Sequence, residues 1–292
     1  MKKVIVILCL AIVAGAGAWA ITKTKKQQEP VAEMAKRVEL QDFFKNPEKT
    51  AFKISPDGQH LAYMAPVNNR LNVFIQAIGD DEAKQLTNET ERDLAGYFWA
   101  GNDRILFLKD EGGDENYALF GVNIDGSNQI PLTREENVRT QMIDDLEDDL
   151  DHVIVGLNKR DARIFDAYRL NINTGEKTLI AQNPGNISAW MTDNEGDLRL
   201  AIATDQTNTT ILYRQDEKDE FKPVLTTDFK ESFSPQFFDF ENPDIIYGTS
   251  NIGRDKSALV KYNISEGKEI EELYSDDHND ISGVGRSKKR KV

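Results

Sequence analysis

The chain has 292 residues, a formal net charge of −14 and a single cysteine. That length accommodates one large β domain plus a leader. The acidic balance argues against nucleic acid and anionic lipid as partners, since the surface repels both. Cys9, alone in an apolar stretch, excludes a disulfide framework or a cysteine-based metal site in the folded part.

Residues 1–26 read as a targeting segment outside the fold. Lys2 and Lys3 form a positive start and Val4 to Ile21 is an uninterrupted apolar run. Ala16-Gly17-Ala18 and Ala18-Trp19-Ala20 offer small-residue cleavage sites. The run is also just long enough to span a bilayer, and Lys23, Lys25 and Lys26 after it suit an uncleaved anchor. The segment is thus a signal peptide or an N-terminal membrane anchor. Either one exports the rest of the chain, leaving it periplasmic or tethered to the inner membrane.

Residues 27–50 form a spacer and lead-in. Gln27 to Lys36 is polar, whereas Val38 to Thr50 carries Phe43, Phe44 and Pro47 and reads as a lead-in packed on the first β unit. From residue 51 to residue 292 the pattern is short β runs with turn punctuation and no long amphipathic helix. In the first unit, residues 51–54 and 60–65 are strands joined by Ser55-Pro56-Asp57-Gly58. There the proline presets φ and the glycine accepts a positive φ. Residues 71–78 and 83–87 complete the unit. The second repeats it with strands at 97–100, 104–109, 117–124 and 129–133, and Asp125-Gly126-Ser127 is a hairpin turn between the last two.

Two markers keep this period through the chain. Acidic or amide turn positions that open a strand recur at Asp57, Asn102, Asp149, Glu195 and Asn242, spaced by 45, 47, 46 and 47 residues. Each unit closes on an apolar pair with a small or polar residue, at 85–87, 131–133, 179–181, 224–226 and 272–274. A period of roughly 45 residues with four strands per unit is the signature of propeller blades. The expected fold is an all-β, incomplete β-propeller over residues 51–292: five complete four-stranded units and the start of a sixth at Ile281.

Four segments resemble one known family. ISPDGQHLAYMA (54–65) matches a short motif of TolB-like proteins and of the propellers of prolyl oligopeptidase-type serine peptidases. DFFKNPEKTAFKISPDG (42–58), KDEGGDENYALFGVNIDG (109–126) and SGVGRSKKRKV (282–292) resemble, in order, the bacterial acylaminoacyl-peptidase and dipeptidyl-peptidase branch of those peptidases. The resemblance runs over about residues 38–292. It implies a propeller that sits over an α/β-hydrolase domain carrying a Ser-Asp-His triad, with the nucleophile in a G-x-S-x-G elbow. This sequence has no such elbow. Gly248-Thr249-Ser250-Asn251-Ile252-Gly253 places its second glycine one residue late, so no catalytic residue carries over. The chain alone is expected to be inactive and to need no cofactor.

Other residues invite sharper readings. Some relatives use propeller acids to hold the free amino terminus of a peptide. Glu111, Asp114, Glu115 and Asn116, in the matching loop of the second unit, are the candidates for that contact. Turn stabilisation is the competing reading. His60, His152 and His278 lack metal-binding spacing. The acidic run from Asp144 to Asp151 lacks the glycine of a calcium loop and reads as a solvated blade edge. Ser287-Lys288-Lys289-Arg290-Lys291 reads as a basic turn entering a strand rather than a nucleic-acid patch. Trp99 and Trp190 read as core.

These features lead to one expectation and one alternative. The first is the non-catalytic propeller portion of an exported serine peptidase, gating peptide access to a hydrolase domain absent from this chain. The alternative is a stand-alone TolB-like periplasmic propeller that acts as a protein-interaction module. An unclosed ring leaves sheet edges, so the isolated chain is expected to be poorly soluble or to associate through its open edge.

Overall fold

A computed structural model of the protein describes residues 37–288 and 290–291. The targeting segment and most of the spacer lie outside them. The described residues divide into two units at Lys45. In the first, Leu40–Phe43 forms one 3-10 turn, and Leu40, Phe43 and Phe44 are exposed.

The second unit holds five antiparallel sheets of four strands, each in simple up-and-down order. Blade 1 comprises β1 (Thr50–Ile54), β2 (His60–Val67), β3 (Arg70–Ala77) and β4 (Ala83–Gln85). Blade 2 comprises β5 (Gly96–Ala100), β6 (Arg104–Lys109), β7 (Ala118–Asn123) and β8 (Ile130–Pro131). Blade 3 comprises β9 (Thr140–Asp144), β10 (His152–Asp161), β11 (Ile164–Asn171) and β12 (Lys177–Ala181). Blade 4 comprises β13 (Ile187–Thr192), β14 (Leu198–Thr204), β15 (Thr209–Tyr213) and β16 (Lys222–Thr227). Blade 5 comprises β17 (Phe233–Phe238), β18 (Ile245–Ser250), β19 (Ala258–Asn263) and β20 (Lys268–Tyr274). No α-helix occurs among the described residues. The period read from the sequence is therefore the blade.

Period-two alternation gives each sheet two buried faces, and blades stack to cover them. The front of a blade meets the rear of its predecessor. Ala62, Met64, Val73 and Ile75 on the rear of blade 1 pack against Ile105, Phe107, Phe120 and Val122 on the front of blade 2. Leu106 and Leu119, one residue out of phase, face blade 3 with Val153, Val155 and Leu170. Trp99 packs into the first of these cores, and Trp190 into the core between blades 3 and 4.

The closing markers have a backbone reason in blades 1 and 2. β4 has three residues and β8 two, too few to pair the whole of the third strand. The Thr87 hydroxyl accepts from the Val73 N–H at 2.9 Å, and the Thr133 hydroxyl from the Leu119 N–H at 2.7 Å. Each hydroxyl stands in for a missing strand carbonyl at a buried amide.

Two expectations change. The run from Asp145 to Asp151 is the β9–β10 turn, beyond the end of β9 rather than along a strand edge, and Leu146 within it is buried at φ 48°. A turn that must tuck a leucine inward between acids gives the same alternation as an edge strand. Residues 275–288 and 290–291, where the start of a sixth unit is expected, form no strand. Ile281 instead donates its N–H to the Ser257 carbonyl at 2.9 Å.

Candidate functional site

Up-and-down order puts all first-to-second-strand turns at one end of the stacked blades. The second-to-third-strand loops and the blade-to-blade connections lie at the other. The four candidate residues sit at the second end, in the β6–β7 loop. Glu111, Asp114 and Asn116 line one cavity of about 420 Å³, together with Lys109, Arg134 and Glu136. Glu115 is not among its lining residues. It adopts φ 59° and donates its N–H to Asp110 at 3.3 Å.

Much of the charge in this cavity is already engaged. Glu111 pairs with Arg134 at 2.6 Å, with both side chains more than half exposed, so the pair is readily exchanged for a ligand. The Asp114 carboxylate accepts from the Asn116 N–H and side-chain amide at 3.0 Å each. These bonds hold its pKa below the usual aspartate value. Glu135 is held low chiefly by its hydrogen bond from Lys159 at 2.6 Å. Asp110 is buried beneath the loop against Arg92 at 3.1 Å. Glu136 makes no ion pair among the described residues. The arrangement offers exchangeable carboxylates and one guanidinium, which suit the two termini of a short peptide.

The opposite end carries all five turn markers. A second cavity, of about 680 Å³, is bounded by Ile54, Trp99, Asp145, Glu147 and Lys288. Asp145 is exposed, yet the protein atoms crowding its turn desolvate the carboxylate and, with Asp144 and Glu147 nearby, raise its pKa. This end is knitted from blade to blade. The Asp57 N–H donates to Asn102 at 3.0 Å, Thr192 donates to Asp144, and the Asn194 amide donates to the Asp239 carbonyl at 2.9 Å. His152 rests on Asp149 at 3.0 Å within one turn. No group of three metal-ligating side chains assembles among the described residues.

The pseudo-elbow has an ordinary structural role. Gly248 and Ser250 belong to β18, and Ser250 is buried and accepts from the Ile252 N–H at 3.2 Å. A Cβ on Gly248 would lie 2.5 Å from the Ser234 carbonyl, so the glycine is there for close strand packing.

With five four-stranded blades in sequence order, the fold is that of a β-propeller. No family model matches the chain. It is 29% identical over 289 residues to dipeptidyl aminopeptidase BIII of Pseudoxanthomonas mexicana, covering 94% of this chain and 41% of that protein. It is 26% identical over 262 residues to dipeptidyl peptidase family member 6 of Caenorhabditis elegans, covering 82% of this chain and 35% of that one. A solved prolyl endopeptidase superposes with a TM-score of 0.53 at 14% identity, over 80% of this chain and 35% of the other. The chain thus spans less than half the length of the curated relatives it matches. Its propeller is similar to those of prolyl oligopeptidase-type serine peptidases of the dipeptidyl-peptidase branch, as the motifs imply. No helix among the described residues is long and apolar enough to cross a membrane, and residues 1–26 lie outside them.

Proposed function

We propose that the chain is the non-catalytic propeller portion of an exported serine peptidase. In this reading it gates access of short peptides to an α/β-hydrolase domain. The observation that carries the proposal is the 289-residue match to dipeptidyl aminopeptidase BIII. The repeated four-stranded blades suit this reading, since a closed ring of such blades would admit an extended peptide and turn away folded chains. Export, with cleavage or anchoring at residues 1–26, rests on the positive start and apolar run of that segment.

At the β6–β7 cavity, Glu111, Asp114 and Asn116 would hold the peptide amino terminus, with Glu115 shaping the loop. The test is a chimaera in which this chain replaces the matching part of dipeptidyl aminopeptidase BIII. It should hydrolyse dipeptidyl-4-nitroanilides and spare casein, while the chain alone should cleave neither. A folded chimaera that cleaves casein as fast as dipeptides overturns the gating. Glu111→Gln in the chimaera should raise KM about tenfold at unchanged kcat, the signature of lost ground-state binding.

A further inference from the structure

The connection between blades 1 and 2 and the β6–β7 loop bound a further cavity, of about 360 Å³. Lys109 and Glu111 line it and also line the cavity that holds Asp114 and Asn116, so the two are neighbours with a common wall. Five carboxylates and two cations surround the new cavity, which gives it a net negative charge. Its connection wall is pinned on both sides of an apex. The buried Asn72 side chain donates to the Glu89 carbonyl at 3.0 Å, and Asp93 accepts from the Leu71 N–H at 2.6 Å. Glu91 and Arg92 stand at the apex, both exposed.

Asp110 lines this cavity as a buried carboxylate short of partners, its side chain 2% exposed. Its one hydrogen bond among the described residues comes from the Glu115 N–H at 3.3 Å, whereas an ionised carboxylate has about four acceptor positions. Its counter-charge is Arg92, which approaches through Nε at 3.1 Å and keeps half of its side chain in solvent. Among the described residues that guanidinium makes no other ion pair and no hydrogen bond. It rests against bare backbone: a Cβ on Gly113, at φ 87°, would lie 2.6 Å from Arg92 Nη1. The loop thus forms a seat for a guanidinium, with a buried charge below and a glycine beside it. Glu91, at the mouth, makes no ion pair among the described residues.

We propose that this cavity is a subsite for a basic side chain, above all arginine, on the first residue of a peptide whose amino terminus is held at Glu111. The entering guanidinium replaces Arg92 on Asp110, and Glu91 attracts it at the mouth. Arg92 is a stand-in that keeps the buried charge compensated until a ligand arrives. Exchange is easy, because an ion pair with one partner half in solvent is weakly held. A guanidinium arriving from solvent can present its fork to both Asp110 oxygens, the stronger geometry. A neutral side chain that displaced Arg92 would strand Asp110 without a counter-charge, so the site selects against it. The inference rests on the peptidase reading for the amino terminus and adds the class of substrate.

Isothermal titration of the full chain tests it with arginyl-alanine, citrullyl-alanine and N-acetyl-arginyl-alanine. Citrulline keeps the shape of arginine and removes its charge. Arginyl-alanine should bind about tenfold more tightly than citrullyl-alanine, and Asp110→Asn should abolish that preference. Arg92→Gln removes the stand-in, so it should tighten arginyl-alanine about fivefold and leave citrullyl-alanine unchanged. A citrulline peptide that binds as well as the arginine one overturns the subsite. So does an Arg92→Gln chain that binds arginyl-alanine more weakly than wild type. N-acetyl-arginyl-alanine separates the two readings: if it binds as well as the free dipeptide, the amino terminus is not held at Glu111, while the arginine preference still supports the side-chain subsite. Should either variant fail to fold, hydrogen exchange of the wild-type chain decides. Arginyl-alanine should slow exchange at residues 90–93 and 110–115 and citrullyl-alanine should not, whereas equal effects of the two overturn the proposal.

Discussion

The seam between blades 1 and 2 and the seam between blades 3 and 4 join the same kinds of sheet by different means. The first is apolar: twelve buried hydrophobic residues form its core, with Phe107 and Ile105 at its centre. The second has three, two of them alanines, with Ile143, Trp190 and Phe221 packed around them. Polar groups supply the rest. Arg169 reaches across to Glu217 and to the Gly196 carbonyl, both at 3.1 Å. Arg214 lies over Phe221 at 4.5 Å and donates to the Ile180 carbonyl at 3.2 Å. Burial holds the Arg214 pKa below its ordinary value, and its Nη2 has no hydrogen-bond partner among the described residues. One repeat thus tolerates two joining chemistries, one indifferent to salt and geometrically forgiving, the other charge-dependent and directional.

The largest test of that contrast is Phe107→Ala against Trp190→Ala, read by urea denaturation. Emptying the fully buried Phe107 site should remove about 3–5 kcal/mol, while the half-buried Trp190 site should lose less than half as much. Equal losses would erase the distinction. A smaller effect comes from Arg169→Gln, which strands the partly buried Glu217 and should cost about 1 kcal/mol at low salt. Raising NaCl to about 1 M, where screening acts within a few ångströms, should shrink that difference. It should also speed hydrogen exchange in β12 and β13 while leaving β6 and β7 unchanged.

The smallest effect should come from Asp145, at the turn end beside the second seam. Its folded pKa is raised, so its ionised form is penalised in the folded state. Stability is lost as pH rises from the unfolded value through the folded one. Asp145→Asn should therefore raise Tm by roughly 2 °C at pH 7 and leave it unchanged near pH 3. A gain that persists at pH 3 would assign the effect to something other than the charge.

The blades themselves were legible because both markers have mechanical causes. Turn positions such as Asp57 cap their own loops, with Ser55 and the Gln59 N–H on its carboxylate. Closers such as Thr133 satisfy a buried amide. Boundaries were readable within a few residues for the same reason. Joining chemistry was not, since Arg169 and Arg214 look like ordinary exposed residues in a β pattern. Only stacking reveals that each crosses to a neighbour. Of the four candidate residues, three converge on a cavity and Glu115 does not, because its left-handed backbone turns it into the loop's own fabric. The second cavity is made by three blades at once, and a linear period says where turns recur but not what they enclose.

The two-residue β8 and three-residue β4 have a further consequence, for the outer rim. A strand that short gives an incoming peptide almost nothing to zip against, so blades 1 and 2 cannot template fibrils from their sides. β20 is longer, at seven residues, but carries Glu269, Glu271 and Glu272, which repel a copy of itself. Strand addition is therefore opposed by brevity at blades 1 and 2 and by charge at blade 5.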